Sequence, residues 1–255
     1  MPIADWRKRL DVFLADFEHK NITIGVLVCG SYITGSVSEH SDLDVHIILD
    51  EAVNFRERGN RIIDGLLIEY FANPPRQILR YFQDDLKDKS LMCQTQFATG
   101  EILMDKTGAV AELKTRAKAE MGGFYASAPA PAMSELTKYG IWDMLDDLED
   151  AHKANRADFD FLYHNNLGKL INTYMGCINM PYNTKTIMGN INSDVTRKKY
   201  LLRELPDDEI AGLIKESITT GDIVPFRQLA NAILNNFGGF DITTFTLKTD
   251  AQNPR

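Results

Sequence analysis

Cysteine is scarce in this chain of 255 residues: there are three, Cys29, Cys93 and Cys177, odd in number and far apart. They form no metal-ligand spacing and no disulfide framework, so buried free thiols in a reducing compartment are expected. Long apolar runs are missing too. No stretch approaches the roughly 18 residues of a membrane span, and the opening MPIADWRKRL has no apolar signal core. A cytoplasmic protein without a membrane partner is the expectation. Positive charge is in deficit, with 28 Lys and Arg against 36 Asp and Glu, a net charge of −8. The longest basic run, Arg197-Lys198-Lys199, is too little for a stripe that grips a nucleic-acid backbone. That balance sets nucleic acid aside and favours a small-molecule or protein acceptor. Internal repeats and low-complexity segments are absent as well.

What is present divides in two. In residues 5–19, Trp6, Leu10, Phe13 and Phe17 recur at helical steps, predicting an amphipathic helix. ITIGVLVCG (22–30), DLDVHIILD (42–50) and DGLLIEYFA (64–72) read as strands, with a turn-rich loop over 31–41 and a weaker helix over 54–63. Asn73-Pro74-Pro75 supplies a helix start, with Asn able to cap, and that helix runs to about Lys89. TGEILMDKTG (99–108) reads as another strand and 110–121 as a helix. GGFYASAPAPAM (122–133), small and uncharged, is the best linker candidate. Beyond it the pattern is helical throughout, over 134–153, 158–179, 193–204, 207–219 and 222–236, with Tyr139, Trp142, Leu145 and Leu148 as the stripe of the first. The expected fold is α+β: an N-terminal domain (1–121) with a mixed sheet flanked by helices, a linker (122–131), and a helical bundle (132–255). The active site is expected in the cleft between them.

The chemistry concentrates in CGSYITGSVSEHSDLDV (29–45). Residues two apart on a strand share a face, so Asp42 and Asp44 lie together. Two such carboxylates repel unless a cation sits between them. Magnesium takes oxygen ligands, commonly one or two carboxylates plus substrate phosphates. Gly30-Ser31 follows a buried strand, where glycine admits close backbone approach and backbone N–H groups with a hydroxyl can hold phosphate oxygens. Glu69 is a lone charge in the apolar run Leu66–Phe71. Such a charge is costly unless paired or liganded. If its strand lies beside Asp42-Leu43-Asp44, three carboxylates could hold one or two magnesium ions.

Gly-Ser, ten residues, Asp-Leu-Asp before an apolar strand, then a lone acid in a later strand: this arrangement resembles the DNA polymerase β-like nucleotidyltransferase superfamily. Within it, the chain is similar to the bacterial group that includes the aminoglycoside and lincosamide nucleotidyltransferases. GEILMDKTG resembles the strand and turn that close their catalytic domain. KYGIWDMLDDLEDA, the long helix after it and MPYNTKTIM resemble their helical, substrate-binding domain. The resemblance implies magnesium on Asp42, Asp44 and Glu69, the triphosphate on Gly30 and Ser31, and a phosphate-neutralising lysine at Lys185. It implies transfer of a nucleoside monophosphate from an NTP, ATP by default, to a hydroxyl of a small acceptor such as an antibiotic, which would confer resistance. Glu69, Asp143, Asp147 and Glu149 are the candidate general bases. Many relatives dimerise, so a homodimer fits.

Each residue also has a plainer reading. Gly30-Ser31 alone would be a turn, Asp42 and Asp44 a solvated strand face, and Glu69 an edge-strand charge. Lys185 would be a surface lysine, and Asp143–Asp150 a solvated helix face. His46 could share the metal face or fill a half-buried strand position. Two other functions stay open: an enzyme that adenylylates a protein, as an antitoxin-like act, and a non-catalytic nucleotide sensor.

Overall fold

The computed structural model describes residues 5–35, 37–127, 132–184 and 186–248. The chain divides into two compact units, residues 1–127 with 198–201, and residues 128–197 with 202–255. The fold is α+β: a mixed five-stranded sheet flanked by helices, and a C-terminal helical region.

In the first unit α1 (Trp6–Asp16) precedes β1 (Thr23–Cys29). A short helix, α2 (Ser31–Thr34), separates β1 from β2 (Leu43–Leu49). Strands β3 (Glu57–Ile63) and β4 (Leu66–Asn73) follow, then helices α3 (Pro75–Asp88) and α4 (Met92–Thr99). The unit closes with β5 (Glu101–Asp105) and α5 (Ala109–Ala126). The sheet order is β3-β4-β2-β1-β5; β2 and β4 are parallel and every other pair is antiparallel.

Strand alternation fixes what each face meets. Val26, Val28, Val45, Ile47, Ile68 and Tyr70 pack with Trp6, Leu10, Phe13 and Phe17 in one core. Leu27, Cys29 and Ile48 pack on the other face with Ile78, Phe82, Phe97, Val110 and Leu113 from α3, α4 and α5. The central strands are buried on both sides, which is why their sequences read as near-continuous apolar runs.

Three expectations need correction here. Residues 54–63 do not form a helix: Glu57–Ile63 is edge strand β3, paired with β4 from Glu57↔Ala72 to Ile63↔Leu66. Asp64 and Gly65 between them have φ of 46° and 81°, the double positive φ of a tight hairpin turn. Neither face of this edge strand has a fully buried residue, so Arg58, Asn60 and Arg61 are exposed and there is no apolar alternation to read. Second, Asn73 does not cap α3; it ends β4, and Pro74 takes the N-cap position. Third, Gly122–Ala126 belong to α5. Val110, Leu113, Ala117, Met121 and Phe124 are its buried stripe, and the pattern runs straight through the two glycines, which sit on the exposed side. Residues 128–131 of the expected linker lie outside the described residues.

The helices that follow are α6 (Glu135–Lys153), α7 (Phe159–Cys177), α8 (Ile187–Asn192), α9 (Asp194–Tyr200), α10 (Asp208–Thr220) and α11 (Ile223–Asn236); all belong to the second unit except the end of α9 from Lys198, which is grouped with the first. The helix expected over 193–204 is thus α9 alone, shorter and preceded by α8. Ser134 caps α6 by accepting from Thr137 N–H at 3.1 Å. Ile141, Leu145 and Leu148 of α6 join Tyr163, Leu167, Leu170, Phe226 and Leu229 in a single core. Tyr139 and Trp142 are only half-buried, and Tyr139 stacks on Phe245 with centroids 4.8 Å apart.

Candidate metal and nucleotide site

The sheet brings the acids of separate segments together. In the antiparallel β1–β2 pair Cys29 lies opposite Asp44, and in the parallel β2–β4 pair Asp44 lies opposite Glu69. Asp44, His46, Glu69 and Phe71 therefore share the face that carries α4. That helix covers it at His46, whose ring packs on Phe97 (4.7 Å between centroids) and whose Nε2 lies 3.2 Å from Gln96 Oε1. Asp44 is two residues nearer the end of the sheet. Asp42 stands just ahead of β2. Asp42, Asp44 and Glu69 are each half-buried, and each offers a carboxylate oxygen such that all three lie within 4.8 Å of one another. Among the described residues this is the group of three or more such side chains that could hold a metal ion.

The electrostatics suit a bound cation. Burial, then the negative charges of Asp42 and Glu69, push the Asp44 carboxyl up to about 6, while Arg58 opposes the shift. A divalent ion between the carboxylates would reverse this repulsion. All-oxygen donors suit magnesium or calcium over softer metals. Burial also raises the Cys29 thiol well above the usual range, with Asp44 adding to it, so Cys29 is a neutral neighbour of the site.

Gly30 shapes the site by what it lacks. Its φ is 75°, a region that L side chains rarely adopt. A Cβ there would run into Asp44 Oδ2 and stand 3.1 Å from Asp44 Cγ. The backbone thus passes directly against the carboxylate and turns at once into α2. The Gly30 carbonyl accepts from Thr34 N–H (3.1 Å) and Thr34 Oγ1 (2.9 Å). The first N–H groups of such a turn have no acceptor within it, and Gly30 at its start is the residue packed on Asp44.

Other expected residues are elsewhere. His46 is fully enclosed, and burial lowers it to about 4. It stacks on Phe71 at 5.3 Å and takes no part in the acidic group. Asp143, Asp147 and Glu149 lie on α6 in the second unit. There Asp143 accepts from Tyr139 Oη at 3.2 Å, and Glu149 pairs with Arg227 at 2.5 Å. Lys185 lies outside the described residues.

One residue at the site was missed from sequence. Arg58 of β3 donates to Glu69 Oε1 from Nη2 (2.5 Å) and Nε (3.2 Å) and lies over the Phe71 ring at 4.9 Å. Reading 54–63 as a helix hid it; the Asp64-Gly65 pair was the signal that could have placed it opposite β4. A separate groove of about 630 Å³ runs between α3 and α5, lined by Leu79, Ala111, Leu113 and Arg116 among others. Those helices begin at the far end of the sheet from Asp44, so the groove is not part of the acidic site.

No family model matches the chain, and no curated protein does. Among solved structures, the chain is similar to a nucleotidyltransferase-like protein from Exiguobacterium sibiricum, with 10% identity over 91% of this chain and 75% of that one, at a TM-score of 0.41. A likeness that remote carries no functional weight, and the site stands on its own geometry.

Proposed function

We infer that the protein is a magnesium-dependent nucleotidyltransferase that moves a nucleoside monophosphate from an NTP, ATP by default, to a hydroxyl of a small-molecule acceptor. The observation that supports this best is the convergence of Asp42, just ahead of β2, with Asp44 of β2 and Glu69 of the parallel strand β4, with Gly30 packed against Asp44. Phosphate and metal would sit side by side there, as a triphosphate requires.

In this reading Asp42, Asp44 and Glu69 hold the metal. Bound there, magnesium supplies charge neutralisation at the α-phosphate and lowers the pKa of the attacking group. Gly30 and Ser31 hold the outer phosphates through backbone N–H groups and the Ser31 hydroxyl, and Lys185 adds positive charge. The acceptor oxygen forms a bond to the α-phosphorus, and the bond to the bridging oxygen breaks in line. Pyrophosphate leaves with that electron pair, and the hydroxyl proton passes to a carboxylate, for which Glu69 is the candidate at the site. Positioning and charge compensation do most of the work. Residues 1–121 serve as the catalytic domain and the helical residues 132–255 as the acceptor-binding domain. An aminoglycoside-like antibiotic is the first acceptor class to try.

Pyrophosphate release tests the reading directly. Each of the four NTPs is supplied with magnesium across a panel of aminoglycosides, lincosamides and candidate proteins, with Asp42→Asn and Asp44→Asn as controls. Acceptor-dependent release, lost in both variants, is the expected result, and it names the acceptor class. Full release in either variant would sink the assignment. Magnesium-dependent nucleotide binding without release under any condition would leave a sensor instead of an enzyme.

A further inference from the structure

Arg58 has a partner that the proposed metal also needs. Its guanidinium sends two N–H groups to a single oxygen, Glu69 Oε1, one of the carboxylates that would hold the ion. Asp42 and Asp44 have no ion pair among the described residues, so the cluster's one contact with a protein cation is at Glu69. A guanidinium and a divalent ion at one carboxylate repel each other, so each weakens the other's hold on Glu69.

The setting of Arg58 allows it to change partners. It stands on edge strand β3 opposite Phe71, and its side chain is 69% exposed where that of Glu69 is 19% exposed. The long stem is not locked in a core, and the Phe71 face under the guanidinium offers a surface on which the charge is comfortable in more than one orientation. A planar fork of N–H donors matches phosphate oxygens as well as it matches a carboxylate. Once moved off Glu69, it would still lie beside the metal site, where the triphosphate must be.

The geometry points to Arg58 as a placeholder: it neutralises Glu69 before a divalent ion binds and, once displaced, donates to a phosphate oxygen of the nucleotide. This rests on the metal and nucleotide reading of the same site. It separates two effects that a fixed structural ion pair would not separate, since removing Arg58 should strengthen one kind of binding and weaken another.

The test uses the full chain stripped with chelator, and two probes that need no knowledge of the base or acceptor. Manganese binding without nucleotide is followed by electron paramagnetic resonance. Magnesium tripolyphosphate binding is followed by calorimetry. Arg58→Ala should bind manganese roughly two- to fivefold more tightly, the range a partly exposed ion pair commands. It should bind magnesium tripolyphosphate about tenfold more weakly, as loss of a charge-assisted hydrogen bond to phosphate requires. Arg58→Lys, which keeps the charge and loses the fork, should fall between on both probes, and it serves alone if the alanine variant does not fold. Unchanged affinities, or weakening of both, would overturn the placeholder and leave Arg58 as a support for Glu69. Wild-type protein that binds no manganese, or Asp44→Asn that binds it normally, would instead overturn the metal site itself, and the placeholder with it.

Discussion

Replacing Asp44 with asparagine should make the metal-free protein more stable at neutral pH while removing its proposed chemistry. Asparagine keeps the shape of the side chain beside Gly30 and removes a charge that the site disfavours. Asp44 titrates near 6 in the folded protein against 3.8 for an ordinary aspartate, chiefly through burial and then through Asp42 and Glu69. At about 1.36 kcal/mol per pH unit, that difference would be worth about 3 kcal/mol if fully expressed. The carboxylate is half-buried, so solvent screening reduces it to about 1–2 kcal/mol. The sign follows from proton counting. Between pH 3.8 and 6 the folded state holds the Asp44 proton more tightly than the unfolded chain does. Wild-type stability from this group therefore falls as pH rises through that window, and the loss is complete above pH 6. The variant has no such group to titrate. Urea unfolding with chelator present, at intervals from pH 4.5 to 8, should show the stability of Asp44→Asn rising relative to wild type as pH increases, then levelling off. Adding magnesium and nucleotide should reverse the order, because ligand bound only by wild type adds about 2.7 kcal/mol at a hundred times its dissociation constant. If the two proteins show no divergence with pH, or the variant is the weaker throughout, the account of a strained, cation-seeking carboxylate is wrong.

Three further perturbations separate backbone from packing. Gly30→Ala imposes a side chain at φ 75° and drives it against Asp44, so it should cost about 1–3 kcal/mol and weaken manganese binding about tenfold or more. Gly35→Ala, at φ 83° with open space around it, should carry the backbone cost but leave manganese binding intact; an equal loss of binding in both would show that the Gly30–Asp44 contact is irrelevant. Phe13→Ala removes a buried ring that packs on Phe17 and Tyr70 at 5.6 and 5.2 Å, and it should cost about 3–5 kcal/mol by urea unfolding. A loss below 1 kcal/mol would mean that α1 is not a true wall of the first core.

Much of the site follows from short-range rules. Asp42 and Asp44 are two apart at the start of an apolar strand, a spacing that predicts a shared side, although Asp42 itself stands just ahead of β2. Gly30-Ser31 follows an apolar run closed by glycine, which marks a buried strand ending in a turn. The amphipathic steps of Trp6, Leu10 and Phe13 predict both α1 and the face it buries, and those residues are in the core. The change from mixed elements to helices alone is visible in periodicity, and so is the α+β class.

What periodicity could not reach depends on which strands become neighbours. Glu69 lies 25 residues beyond Asp44 in the chain. Nothing local says that β4 pairs with β2 in parallel, or that the register sets Glu69 opposite Asp44 and not one residue away, where it would point to the other face. Arg58 was hidden by a related cause, since an edge strand with no fully buried residue on either face carries no apolar alternation to read. The end of α5 was misread because Gly122-Gly123 looks like a linker, while burial of Met121 and Phe124 holds the helix together through it. Local pattern thus identifies the carboxylates, the glycine and the elements that bear them. That Glu69 completes the group and that Arg58 sits on it follows from strand order and register, which are set by side-chain burial summed over the whole sheet and not by any one segment.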